Sequence, residues 1–150
     1  MSIAIRTARK SDVPEVLGLL YELGRPKPKN DSEFEVFQNL IKKQLSDADK
    51  TLLVAVRDET LLVGLVSVNF LTRLNRTSPE MYLPELIVTQ KYQRQGIGKR
   101  LIDACISLAN EKNCFRIRLE SGNFRAESHK FYTALGFESN STFFFKSLGN

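Results

Sequence analysis

The sequence predicts an α/β fold of the α+β kind, a single domain over residues 1–150 in which a mixed, mostly antiparallel sheet of about seven strands is flanked by four helices. Three observations carry this reading. Strand-like and helical periodicities succeed one another along the whole chain, with no repeat, low-complexity tract or interdomain linker between them. Three β-rich runs follow each other between residues 51 and 89 across short connections, which is antiparallel order. A helical stretch then separates the third run from the next, a crossover suited to parallel pairing. At 150 residues the chain can bury one core without disulfide or metal support.

The elements follow in order. Ile3 to Thr7 alternates as an edge strand. Ser11-Asp12 supplies a cap before Val13, Val16, Leu17, Leu20 and Tyr21, which share one helical face. Gly24 to Asn30 breaks that helix as an exposed basic loop, and Phe34, Phe37, Leu40, Ile41 and Leu45 mark a second helix. Thr51 to Arg57 and Leu61 to Leu71, separated by Asp58-Glu59-Thr60, read as a hairpin, and Met81 to Thr89 as a further strand. Ile97, Leu101, Cys105 and Leu108 recur at helical spacing. Phe115 to Leu119 is the next strand, Ala126 to Leu135 a last helix stopped by Gly136, and Thr142 to Lys146 a closing strand.

The segment Gln93-Arg94-Gln95-Gly96-Ile97-Gly98-Lys99-Arg100 lies between an apolar strand and a helix. Glycine accepts backbone angles that a side chain forbids, and a helix start offers unpaired N–H groups and the positive end of the macrodipole. A diphosphate suits such a place, although Gly-x-Gly also serves simply to turn a chain, and the segment alone leaves both readings open. A P-loop is excluded, since no Gly-Lys-Ser/Thr occurs, and the third glycine of a dinucleotide fingerprint is missing.

The pattern Gln-x-x-Gly-x-Gly with cations at Arg94, Lys99 and Arg100 resembles the acyl-coenzyme A pyrophosphate loop of the GNAT N-acetyltransferase superfamily. The resemblance extends over nearly the whole chain. It includes Ile5-Arg6-Thr7-Ala8 followed by Asp12, then Glu85-Leu86-Ile87-Val88 before the loop, and Phe131-Tyr132-Thr133-Ala134-Leu135-Gly136-Phe137 near the end. It implies an acetyl-CoA-dependent enzyme that moves an acetyl group to a primary amine by direct transfer in a ternary complex, with no covalent enzyme intermediate. Ile87 and Val88 match the strand whose backbone holds the pantetheine arm. Gln93, Arg94, Gln95, Gly96, Ile97, Gly98 and Lys99 match the loop that holds the diphosphate through main-chain N–H groups.

By the same resemblance Tyr132 is the general acid toward the departing thiolate, for which a phenol has the right basicity. Glu85 matches a carboxylate that takes a proton from the amine, usually through water; Glu120 and solvent are the alternatives. Many relatives carry Asn seven residues before the tyrosine, in contact with the coenzyme, where this chain has Arg125. Arg125 is therefore open between a coenzyme contact, a clamp for an acceptor carboxylate and a charge at a helix start. His129, the one histidine, falls on the side of Tyr132 and reads more readily as a partly exposed structural residue than as a proton shuttle. The alternative function is a non-catalytic acyl-CoA-binding sensor.

The formal charge of +5 is dispersed, with no Lys/Arg run or basic-aromatic stripe, so it suits a polyanionic small molecule better than nucleic acid. No apolar run approaches membrane-spanning length, and Met1 to Arg6 lacks the core of a secretory signal, so a cytoplasmic protein is expected. The two cysteines, Cys105 and Cys114, read as thiols, and no His or Cys spacing fits a metal site. The acceptor, a small molecule or a peptide amine, is not identified. Phe143-Phe144-Phe145 offers an apolar edge for pairing with a second copy.

Overall fold

The structure is a computed structural model that describes residues 2–121 and 126–149. Arg125 lies outside the described residues. The chain divides into two compact units, Met1–Arg118 and Leu119–Asn150.

In the first unit β1 (Ile3–Thr7) leads to α1 (Val13–Glu22) and α2 (Asp31–Ser46), followed by β2 (Lys50–Arg57), β3 (Leu61–Leu71), β4 (Glu80–Leu83), β5 (Leu86–Val88) and α3 (Ile97–Glu111). β6 (Arg116–Leu119) closes the sheet. The strand order is β1-β2-β3-β4-β6, with β5 paired to β3, and the β1–β2, β2–β3, β3–β4 and β3–β5 pairs are antiparallel. Leu52 to Val56 are all buried, so β2 reads as a continuous apolar run covered on both faces. Leu52, Val54 and Val56 pack with Val16 and Leu17 of α1 and Ile41 of α2. α3 buries Ile97, Leu101, Ile102, Cys105 and Ala109.

Three expectations need correction. The strand foreseen over Met81 to Thr89 is two strands, because Asn69 faces Tyr82 while Val66 faces Leu86. Leu83, Pro84 and Glu85 thus oppose only Ser67 and Val68, a β-bulge at a proline that cannot donate to the ladder. Asp12 stands before α1 but its side chain makes no cap bond to it. It instead accepts two bonds from the Arg6 guanidinium, at 2.7 and 3.1 Å, and the Arg9 N–H at 2.8 Å, which ties the start of α1 to β1. The Arg6 bond, against the opposing effect of burial, holds the Asp12 carboxyl below its usual range. Thr142 to Lys146 forms no strand, and Phe143, Phe144 and Phe145 are exposed there, so six strands are present among the described residues. The apolar side of α2 is only partly covered: Ile41 is buried, whereas Phe34 and Leu40 are exposed.

In the second unit α4 (Ala126–Ala134) carries His129 and Tyr132. Cys105 is a free buried thiol whose pKa burial pushes up to about 12, and Cys114 is free and raised for the same reason. Among the described residues no group of His, Cys, Asp and Glu could hold a metal, and no helix is long and apolar enough to cross a membrane.

Candidate active site

The bulge determines where the backbone of β5 is free. Ser67 N–H donates to Glu85 O at 2.9 Å and Thr89 N–H to Val63 O at 2.8 Å, so Glu85 and Thr89 turn these groups toward β3. Alternation along the strand then turns the N–H and C=O of Ile87 toward β3 and those of Leu86 and Val88 to the opposite edge. β5 pairs only with β3 among the described residues, whereas β4 also pairs with β6. Apart from the Val88 carbonyl, which accepts from the Gln93 side chain, the outer edge of β5 is therefore available to an extended amide-bearing chain. Leu86 belongs to this edge and was missed; Ile87 faces away from it.

The approach of β5 to β3 is close. A Cβ on Gly64 would stand 3.0 Å from Ile87 O and 3.3 Å from Leu101 Cδ1, so a side chain there would push β5 out of register.

β5 runs into the glycine loop, where the Gln93 amide donates to Val88 O at 2.8 Å and ties the loop to the strand. Gly96 precedes α3 at φ 81°, ψ 6°, a left-handed conformation, and a Cβ there would meet nothing within 4 Å. The demand on Gly96 is thus one of backbone angle, not of space. Arg94 also has positive φ, 61°. The helix ladder opens with Arg100 N–H donating to Gly96 O at 3.1 Å, so the N–H groups of Ile97, Gly98 and Lys99 precede the first intrahelical bond. Gln93, Arg94, Gln95, Gly96 and Lys99 are exposed, while Ile97 is buried and anchors the helix start. Lys99 Nζ lies 2.8 Å from Asp103 one turn on, in an exposed pair of small energetic weight. These amides, a macrodipole and nearby cations fit a diphosphate.

Replacing Gly96 by valine puts a β-branched residue at φ 81°, which costs about 1–3 kcal/mol. The expected result is an acetyl-CoA Kd raised about tenfold, with kcat at saturating donor near that of the parent. Calorimetric titration checks it, and an unchanged Kd would remove the loop from the donor site.

Glu85 sits in the bulge. Its Oε1 accepts the Ser67 hydroxyl at 2.7 Å, and its own N–H donates back to Ser67 Oγ at 2.9 Å. Arg25, from the loop after α1, places Nη2 3.3 Å from Glu85 Oε2 and 3.1 Å from Pro84 O. Glu85 Oε1 is thus oriented by a buried hydroxyl and Oε2 by an exposed, exchangeable cation. Ser67 and Arg25 were both missed; a lone serine inside the apolar run of β3 was the available signal for the first.

On the same side of the sheet Glu85, Ser67 and Gln44 form the polar wall of a cavity of about 200 Å³. Its remaining lining, from α1, α2, β2 and β3, is Val16, Leu20, Leu40, Ile41, Leu52 and Leu65. Gln44 Nε2 donates to Thr51 O at 2.9 Å.

In the second unit, the Tyr-x-x-x-Gly-Phe spacing is a helix stop. Gly136, at φ 91°, donates its N–H to Thr133 O at 3.0 Å, and Phe137 N–H donates to Tyr132 O at 3.0 Å, the paired bonds of a Schellman motif. The Phe137 ring then meets Tyr132 edge-on at 5.7 Å between centroids, and Phe131 does so at 5.1 Å. Two aromatic neighbours hold the phenol ring. His129 Nε2 lies 3.3 Å from Ser121 O, a bond that ties α4 to the segment before it and suits the structural reading of this residue. Glu120 is exposed just after β6.

The fold is that of acetyltransferases. The glucosamine-6-phosphate N-acetyltransferase of Arabidopsis thaliana superposes with a TM-score of 0.84 at 18% identity, covering 99% of each chain. An aminoglycoside N-acetyltransferase in complex with CoA gives 0.83 at 21% identity, over 99% of this chain and 96% of that one. A transcriptional regulator from Bacillus halodurans C-125 gives 0.83 at 22% identity, over 98% and 100%. The model of the acetyltransferase (GNAT) family matches residues 16–137, and the chain belongs to that family.

Proposed function

We propose that this protein is an acetyl-CoA-dependent N-acetyltransferase that acetylates a primary amine by direct transfer. The observation that carries the reading is the continuous run from Glu85 to Lys99. It presents a carboxylate on the cavity side, an open backbone edge at Leu86 and the Val88 N–H, and amide donors at the start of α3. Acetyl-CoA is a substrate here, with its arm along β5 and its diphosphate at Gly96 to Lys99; family membership and the CoA complex of the aminoglycoside N-acetyltransferase support this placement.

The chemistry balances with the residues present. The ammonium gives one proton to Glu85 through water, the free amine attacks the thioester carbon, and the C–N bond forms as the C–S bond breaks, the second nitrogen proton passing to solvent. The thiolate needs a proton in return, the role that the match to the family's tyrosine gives Tyr132, whose own proton solvent restores. No step needs a metal ligand or a second nucleophile.

A regulatory acyl-CoA sensor is the second reading, favoured by the transcriptional regulator among the structural relatives. A thiol-release assay over an amine panel, with mass detection of the product, separates the two. The enzyme releases thiol only with acceptor and adds one acetyl group to it. Ligand-induced thermal stabilisation without acceptor-dependent thiol is the signature of the sensor and would end the catalytic reading.

A further inference from the structure

The cavity beside Glu85 restricts what the acceptor can be. We infer that the acceptor is a small monoamine with an apolar body of roughly five to seven carbon-sized groups, its nitrogen at Glu85 and its body among the aliphatic side chains of α1 and α2. This deepens the proposed function and rests on it.

Position comes first. Glu85 forms part of the cavity wall, and the next residue, Leu86, begins the open edge of β5, so an amine at Glu85 lies beside the strand expected to hold the thioester. Among the described residues Glu85 Oε2 meets only the half-exposed Arg25 at 3.3 Å, a cation that an incoming ammonium can displace. Size comes second. A volume of about 200 Å³ lies below the range of drug-sized sites, and at a water's share of roughly 30 Å³ it holds roughly six or seven methylene-sized groups.

Charge decides the class. Among the lining residues Glu85 is the one carboxylate, and the wall away from it is Val16, Leu20, Ile41, Leu52 and Leu65. A second ammonium on the acceptor would be desolvated there with no anion to meet it. Polyamines and aminoglycosides are disfavoured on this ground, although an aminoglycoside enzyme shares the fold. A methylene gains from the same wall what any buried methylene gains.

The test is kcat/KM for a series of n-alkylamines from propylamine to octylamine, with 1,5-diaminopentane set against the near-isosteric n-hexylamine. The expected series rises about fourfold per methylene up to about six carbons and then stops rising. The diamine is expected to be about 100-fold poorer than hexylamine. Leu40→Asp, at a position 58% exposed on the rim of the cavity, should raise the KM for hexylamine about tenfold and leave the KM for acetyl-CoA unchanged. Thermal stabilisation by hexylamine without donor reads the same site independently of turnover. A series flat in chain length, a diamine equal to its isostere, or turnover confined to polar amines would overturn the inference and leave the acetyltransferase intact. Failure to bind acetyl-CoA and to release thiol with any amine would instead sink the proposed function.

Discussion

Tyr132→Phe is expected to lower kcat by about 100-fold or more while leaving the acetyl-CoA Kd within about twofold of the parent. The substitution removes one oxygen and keeps the ring. The edge-on contacts with Phe131 and Phe137 are made by the ring, and the Schellman bonds at Gly136 are made by the backbone, so α4 and its stop survive. On the proposed mechanism the substitution takes away the proton offered to the thiolate, a group that leaves poorly when it must take its proton from solvent. An acid that acts only as the C–S bond breaks contributes to the transition state and not to donor binding, which separates kcat from Kd. Thiol release at saturating donor and calorimetry on the same preparation measure the two quantities. Equal turnover in mutant and parent would show that the phenol does not supply the proton, and a parallel loss of donor affinity would assign Tyr132 to binding.

Local patterns made much of this fold legible. β2 and β3 are apolar enough to be read as strands wherever they pair, and the face of α3 from Ile97 to Ala109 needs only its spacing. Gly96 and Gly136 are legible because each answers a backbone angle that other residues resist. The bulge was signalled by Pro84 but obscured by the apolar residues on either side of it, and with it went the distinction between Leu86 and Ile87. Ser67 and Arg25 act on Glu85 from 18 and 60 residues away, and no local period encodes such pairings. The triplet Phe143-Phe144-Phe145 misled for the opposite reason: high β-propensity describes a fit to a half-buried pleated surface, and without such a surface it does not make a strand.

Glu80→Gln is expected to destabilise the protein by about 1.5–3 kcal/mol at pH 7, the usual worth of hydrogen bonds between charged groups, because the carboxylate is buried while the arginines around it stay 36–52% exposed. Glu80 is fully buried at the start of β4 and takes three arginines: Arg118 at 3.2 Å, Arg73 at 3.5 Å and Arg116 in a short bond. Burial alone would raise the carboxyl pKa, but the hydrogen bonds and charges of Arg116 and Arg118 outweigh it and hold the group below its ordinary 4.5. The amide keeps the shape and one acceptor oxygen and loses the charge. Arg116 and Arg118 lie on β6, so Glu80 joins β4 to β6 beside the bulge where β5 leaves that line. The sign with pH follows from the depressed folded value. The contribution of Glu80 is complete above the unfolded pKa of 4.5 and is lost as pH falls through the lower folded one. The gap between parent and E80Q therefore narrows in acid, while Asp12, whose carboxyl is also held low, titrates in both proteins and cancels from the difference. Urea unfolding of both proteins at pH 7 and near pH 3 reads this directly, with unchanged m-values showing that the same surface is exposed. A loss below about 1 kcal/mol at pH 7, or a gap that does not shrink in acid, would mean that the three arginines are satisfied by solvent and that the joint between β4 and β6 rests on backbone pairing alone.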